Sequence, residues 1–250
     1  MNLQPHLEVH NLKMAYAETV IQENLNFAVH KGEIFIIMGS SGCGKSTLLR
    51  HLIGLMKPTT GDIFIDGFNL WQATPEQREQ LISHNGVLYQ GGALWSSMTL
   101  GENIALPLSE YSDLNQKQIE EVIAYKLSLV GLSGFEDYYP SEISGGMRKR
   151  AGLARAIALD PKILFFDEPS AGLDPVSSRL LDDLIIELRD SLGTTIIIVS
   201  HELESIFSVG DNAIFLDADE KTLIAQGSPK QLLAHCDDQR VLNFLTRTTK

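Results

Sequence analysis

Cysteine is nearly absent: among 250 residues there are two, Cys43 and Cys236, far apart in the chain. A pair so placed makes no disulfide framework and suits a reducing compartment. Long apolar runs are missing too. The longest, such as Thr194 to Val199, have strand length, so no segment reads as a membrane span. Positive charge is scarce, with 20 Lys and Arg against 32 Asp and Glu and a formal net charge of −12. That balance argues against nucleic acid as a partner, since phosphate contacts want a basic face. Residues 1–9 lack a basic segment followed by an apolar one, so no signal peptide is read there. There is no low-complexity tract and no internal repeat. What remains is 44% apolar, enough for a substantial core in one large or two small domains.

The chain is organised around Gly39-Ser40-Ser41-Gly42-Cys43-Gly44-Lys45-Ser46-Thr47, which follows an apolar run ending at Met38 and opens into the helical pattern Leu48 to Ile53. Strand, glycine-rich turn and helix is the context in which G-x-x-x-x-G-K-[ST] holds phosphate. Glycines let the backbone approach an anion, and consecutive N–H groups at a helix N-terminus favour negative charge. Lys45 can reach the β and γ phosphates of a nucleoside triphosphate, and the Ser46 hydroxyl can ligate Mg²⁺. Cys43 sits beside Lys45 at that helix start, a setting that lowers a thiol pKa, so a reactive thiol is expected unless the side chain is buried.

Leu7–Leu12 and Asn24–Val29 alternate as half-buried strands around a turn region containing Tyr16. Asp62–Ile65 reads as a short strand, Pro75–Ile82 as a helix, and Asn85–Gln90 as a buried strand ending at a glutamine. Thr99 with Glu102 predicts a capped helix that Pro107 ends, and Asn115–Val130 an amphipathic one. Ser144-Gly145-Gly146-Met147 opens a helix through Leu159. Apolar runs Ile163–Phe166 and Thr194–Ser200 predict strands buried on both faces, separated by a helix over Pro175–Leu192. Ala213–Leu216 and Thr222–Gln226 read as strands, Pro229–His235 as a helix, and about 237–250 as a charged tail. Alternation of helix and strand in the second half predicts an α/β fold with a parallel sheet, and the strandless stretch of about 91–160 an inserted helical subdomain.

Ligands gather at the carboxyl ends of strands in such sheets. Gln90, Asp167-Glu168 and His201 all fall there. Phosphoryl transfer to water needs a Mg²⁺ holder, a group to orient or deprotonate the water, and a γ-phosphate contact. Asp167 is placed for the metal, directly or through water, and Glu168 for the general base. Gln90 can touch both metal and water, and His201 the γ-phosphate. Alone, an Asp-Glu pair is usually solvated and a lone His structural. The phosphate loop in the same chain is what favours the catalytic reading.

Taken together, Gly39–Thr47, Gln90, Ser144-Gly145-Gly146, Leu164-Phe165-Phe166-Asp167-Glu168-Pro169, Gly172-Leu173-Asp174-Pro175 and His201 resemble the ATP-binding subunits of ABC transporters over nearly the whole chain. The resemblance implies one P-loop NTPase domain with a RecA-like parallel-sheet core, an antiparallel β subdomain and the helical insertion. It implies a head-to-tail homodimer closing over two ATP with Mg²⁺, each nucleotide between Gly39–Thr47 of one subunit and Ser144-Gly145-Gly146 of the other. Tyr16 matches the residue that stacks on adenine, and Asp174 the loop where subunits meet. Most members carry Gln after Ser-Gly-Gly; here Met147 precedes Arg148-Lys149-Arg150. That run, with Gln90-Gly91-Gly92-Ala93-Leu94-Trp95 and the tail from Asp238, is similar to ATPases of Mla-type systems that serve MCE-domain lipid carriers. Peptide-importer ATPases are the alternative, with a non-transport ABC ATPase behind them. The resemblance further implies a separate permease, an MCE-domain lipid-binding protein, a small accessory subunit, and a peripheral position on the cytoplasmic face of the inner membrane. Leu94 and Trp95 either dock that permease or are buried locally.

Overall fold

The computed structural model describes residues 5–248. The chain begins with two long strands, β1 (Pro5–Tyr16) and β2 (Thr19–His30), paired antiparallel across a tight turn. β3 (Ile34–Gly39) leads into α1 (Lys45–Leu52), and β4 (Thr60–Ile65) and β5 (Phe68–Asn69) return to the first hairpin. α2 (Pro75–Ser83) precedes β6 (Asn85–Leu88). Residues 91–160 hold α3 (Leu100–Tyr111), α4 (Gln116–Leu129), a 3-10 turn at Pro140–Glu142 and α5 (Gly145–Ala156), with no strand. Then come β7 (Ile163–Asp167), α6 (Pro175–Leu192), β8 (Thr195–Val199), α7 (Leu203–Val209), β9 (Asn212–Leu216), β10 (Leu223–Gly227), α8 (Pro229–His235) and α9 (Gln239–Thr246).

The strands make an antiparallel sheet ordered β2-β1-β4-β5 and a second sheet ordered β10-β9-β3-β8-β7-β6. In the second, β9, β3, β8, β7 and β6 run parallel and β10 is antiparallel at the edge. Strand side chains alternate between faces, and here both faces are covered. Ile34, Ile36, Met38, Leu164 and Phe166 join the core built with the helices from α3 to α6. Phe35, Ile37, Ile163 and Phe165 join a second core with α1 and the antiparallel sheet, where Phe27 stacks on Phe35 at 5.5 Å. The continuous apolar runs follow from this double burial. Phe165 is fully buried, and Phe165→Ala would cost about 3–5 kcal/mol through lost burial and the cavity left behind.

The capping boxes at Thr99–Glu102 and Asn115–Gln118 start α3 and α4. Pro107, expected to end its helix, instead lies inside α3. Its ring removes one helical donor, but Ile104 and Leu108 are buried on the core face, and Ser112 N–H closes the helix on the Leu108 carbonyl. β6 stops at Leu88, so Gln90 lies in the loop two residues on, and α5 ends at Ala156 rather than Leu159. The expected tail is also corrected. Gln239–Thr246 is helical, Val241 and Leu245 are buried, and Phe244 meets Phe215 edge-on at 5.2 Å. Arg240 pins the helix to Asp217 at 3.2 Å and to Asp238 at 2.8 Å. Residues 249–250 of the expected tail lie outside the described residues. No described helix is long and apolar enough to cross a membrane.

Candidate active site

The parallel sheet brings the carboxyl ends of β3, β7 and β8 to one edge. At the end of β3 the chain turns through Gly39, Gly42 and Gly44, with φ of 148°, 80° and 100°. A Cβ on Gly39 would lie 2.4 Å from the Leu216 carbonyl oxygen, and one on Gly44 2.6 Å from Ile21 Cγ2, so the chain itself demands glycine there. Gly44 stands at the N-cap of α1 in left-handed conformation, and no side chain caps the helix. The first amides of α1 are therefore left for an anion. Lys45 Nζ donates to the carbonyls of Gly39 at 2.9 Å and Ser40 at 3.0 Å, curling over the loop it stabilises.

A residue that the sequence did not point to anchors this loop. Gln22, buried on β2, donates from Nε2 to the Cys43 carbonyl at 2.7 Å and the Asp217 carbonyl at 2.8 Å. Cys43 departs from expectation: its side chain is 1% exposed in the second core, and burial pushes the thiol pKa up in spite of the Lys45 charge. It is not the reactive thiol that its neighbours suggested.

Ser46 Oγ donates to Asp167 Oδ1 at 3.0 Å. Glu168 follows β7 in left-handed backbone conformation, φ 52°, a strained position for a non-glycine residue. His201 Nδ1 lies 2.8 Å from Glu168 Oε1, while the buried Glu168 Oε2 has no protein partner. The phosphate loop, Gln90, Glu168 and His201 line one cavity of about 610 Å³. Phe244 of α9 lines it too, a contact hidden from sequence reading by the charged residues around it.

Other expected residues lie outside this cavity. Tyr16, at the end of β1, is 45% exposed, and its hydroxyl reaches Met56 Sδ at 3.6 Å. Ser144 caps α5 by accepting from Met147 N–H at 3.2 Å, and with Gly145 is exposed. Asp174 caps α6, accepting from the Val176 and Ser177 amides at 3.0 Å each, and Ser177 in turn lies against Gly146. Ser177 Oγ also donates to Asp174 and holds its carboxyl below the ordinary carboxylate pKa. Of the pair Leu94 and Trp95, Leu94 packs on the core and Trp95 is 62% exposed.

The residues present fit Mg²⁺. Ser46 and Asp167 offer two hard oxygen donors beside the phosphate loop, and Mg²⁺ takes the rest of its shell from phosphates and water. Among the described residues no group of three or more His, Cys, Asp or Glu side chains could hold a metal unaided. That is the donor set of a metal brought in with a nucleotide.

The family model for ABC transporters matches residues 22–171. The chain belongs to the ABC transporter family. As an ABC cassette it is an ATPase that takes ATP with Mg²⁺. It is 42% identical over 239 residues to the intermembrane phospholipid transport system ATP-binding protein MlaF of Haemophilus influenzae, covering 96% of this chain and 89% of that one. MlaF of Escherichia coli is 39% identical, with 96% and 88% covered. In Mycobacterium bovis, mkl, named a probable ribonucleotide transport ATP-binding protein, is 41% identical over 96% of this chain and 66% of its own. Among solved structures, the ABC protein cbiO1 of Clostridium perfringens superposes with a TM-score of 0.83 at 28% identity, covering 97% and 96%. A dimeric ATP-binding cassette in a post-hydrolysis state with ADP and Pi superposes with a TM-score of 0.80 at 26% identity, covering 89% and 98%.

Proposed function

We propose that this chain is the ATP-hydrolysing subunit of a lipid transporter, working as a homodimer beneath a separate permease. The observation that carries the catalytic part is the Glu168–His201 pair, facing the phosphate loop across one cavity. Lys45 and the α1 amides hold the β and γ phosphates, and Ser46 and Asp167 would hold Mg²⁺. When bound, that ion neutralises charge developing on the transferred phosphoryl group. Glu168, which lines the cavity, orients the attacking water and takes its proton. His201, whose Nδ1 donates to Glu168 Oε1, meets the γ-phosphate with its other ring nitrogen, which donates there in the imidazolium form. Gln90 completes the wall from the β6 side, where it would touch metal and water. Tyr16 stacks on adenine beyond the cavity.

Ser144, Gly145 and Gly146 act on the nucleotide of a second copy. Ser144 and Gly145 are exposed, and all three residues lie outside their own chain's cavity at a helix N-terminus suited to an anion. Asp174 lies at the same contact between copies. Residues 91–160 work as one helical subdomain. On it, Trp95 with Leu106, Pro107 and Tyr111 borders a groove of about 440 Å³, the docking place of the permease. The assembly sits on the cytoplasmic face of the inner membrane and includes an MCE-domain lipid-binding protein and a small accessory subunit.

The lipid reading is supported by the run from Ser144 to Arg150 and by the names of the MlaF relatives, most of whose length this chain spans. The mkl relative favours ribonucleotide as the rival cargo, over two thirds of a longer chain. Affinity purification from membranes tests the partners and cargo together. Recovery of a permease with an MCE-domain protein, and ATP-dependent movement of phospholipid between vesicles by that complex, is the expected result. Recovery of a peptide or ribonucleotide permease, with no lipid movement, would overturn the cargo and leave the ATPase reading in place.

A further inference from the structure

The basic run Arg148-Lys149-Arg150 forms no surface patch. Arg148 Nη1 donates to the Ile143 carbonyl at 2.8 Å, and Arg150 Nη1 to the Val130 carbonyl, at the end of α4, at 2.8 Å. Lys149 turns the other way. Its ammonium is buried and donates to the Pro169 carbonyl at 2.7 Å and the Ala171 carbonyl at 2.5 Å. Burial pushes its pKa down, and the Glu168 charge nearby opposes that. A buried lysine is costly unless its donors are matched, and these two carbonyls take two of its three. They bracket Ser170, in the turn that starts at the strained Glu168 backbone and leads to Asp174. Three residues before Lys149, a Cβ on Gly146 would lie 3.4 Å from Ser177 Oγ and 3.8 Å from Leu173 Cδ2. Both Lys149 and Gly146 thus join α5 to the 168–177 segment, and Lys149 does so through the backbone beside Glu168.

We propose that Lys149 is a positioning residue for hydrolysis, holding the 168–171 turn so that Glu168 keeps its left-handed backbone and its place against His201, and making that turn move with α5. The inference rests on the reading that Glu168 acts on the water. It makes the second copy's nucleotide, seated on the N-terminus of α5, mechanically connected to this chain's own base. The phosphate loop has no part in the link, so nucleotide affinity is separable from turnover.

The test compares Lys149→Gln, Lys149→Arg and Glu168→Gln chains by steady-state ATPase kinetics, MgATP binding and thermal melting. Gln is shorter and uncharged, and is expected to lower kcat about tenfold or more, the scale of a slightly misplaced catalytic group. KM and nucleotide affinity should stay within about twofold. Arg keeps the charge and can serve both carbonyls, and should restore kcat to within about threefold of the parent. Wild-type kcat in Lys149→Gln, beside an inactive Glu168→Gln, overturns the role of Lys149 alone. Near-parent turnover in Glu168→Gln removes the base and the inference with it. A Lys149→Gln chain that fails to fold, or loses affinity and melting temperature along with kcat, makes Lys149 a fold determinant and also overturns the proposal.

Discussion

Two helices of this chain begin at glycine-bearing turns, and they are finished differently. At the start of α1, neighbours within the chain forbid a side chain on Gly39 and Gly44, and the helix start lines a cavity with Glu168 and His201. At the start of α5, Gly145 has only the flexible Arg148 Nη2 at 3.7 Å from where a Cβ would stand, and Ser144 already caps the helix. The first glycines are explained by the fold. Gly145 is not. The proposed composite site supplies a reason: the half at α1 is assembled within one copy, and the half at α5 would face a second.

The largest effect should come from breaking the half that is complete. Lys45→Ala removes a charge-assisted contact to the phosphates, and should reduce both MgATP affinity and turnover by about 100-fold or more, read by calorimetry and phosphate release. Near-parent affinity would deny the loop its role. Gly145→Asp should fold with an unchanged melting temperature and bind MgATP normally as a single chain, yet lose most turnover. An Asp variant that melts early would place the need for glycine inside the chain after all. Phe244→Ala sharpens the boundary of the cavity. It should change KM for ATP by only about two- to fivefold with kcat retained, since an apolar wall contributes to binding rather than to proton transfer.

A separate effect, on stability and not on turnover, concerns α6, the helix that Asp174 starts. Asp182 is buried there, accepts from Ser205 Oγ at 2.9 Å, and is pushed up by burial to about 6. The folded chain therefore holds this proton more tightly than the unfolded chain, whose carboxyl titrates near the ordinary value. Stability from this group is present at low pH and is lost as pH rises through the window from about 4 to 6. Asp182→Asn should be more stable than the parent at pH 8 by up to about 3 kcal/mol and nearly equal to it near pH 4, by denaturant unfolding. A variant less stable at both pH values would show that the carboxylate is well served where it is.

What the sequence made legible was whatever lies contiguous along the chain. The phosphate loop, the Asp167-Glu168 pair and the Thr99–Glu102 cap are each a few residues long, and their chemistry is local. The long-range parts were silent. Gln22 anchors the loop through carbonyls 21 and 195 residues away, and nothing in its own strand pattern marks it. Cys43 misled because local charge favoured a reactive thiol while the direction of the side chain, set by packing, reversed the effect. Pro107 misled because one lost donor weighs less than a buried face. In α9 the spacing of Val241, Phe244 and Leu245 is helical, but Asp237, Asp238 and Arg240 beside it read as a solvated tail. For Trp95 the sequence leaves docking and burial open, and its exposure separates it from the half-buried Leu94.

The split of the site between copies is tested most directly by the mass of the Glu168→Gln chain in solution, measured by light scattering with and without MgATP. A composite site predicts a monomer that becomes a stable dimer with MgATP, and a chain also carrying Gly145→Asp that binds MgATP within about twofold of the single variant yet stays monomeric. A dimer that forms equally well with Gly145→Asp in place would contradict it.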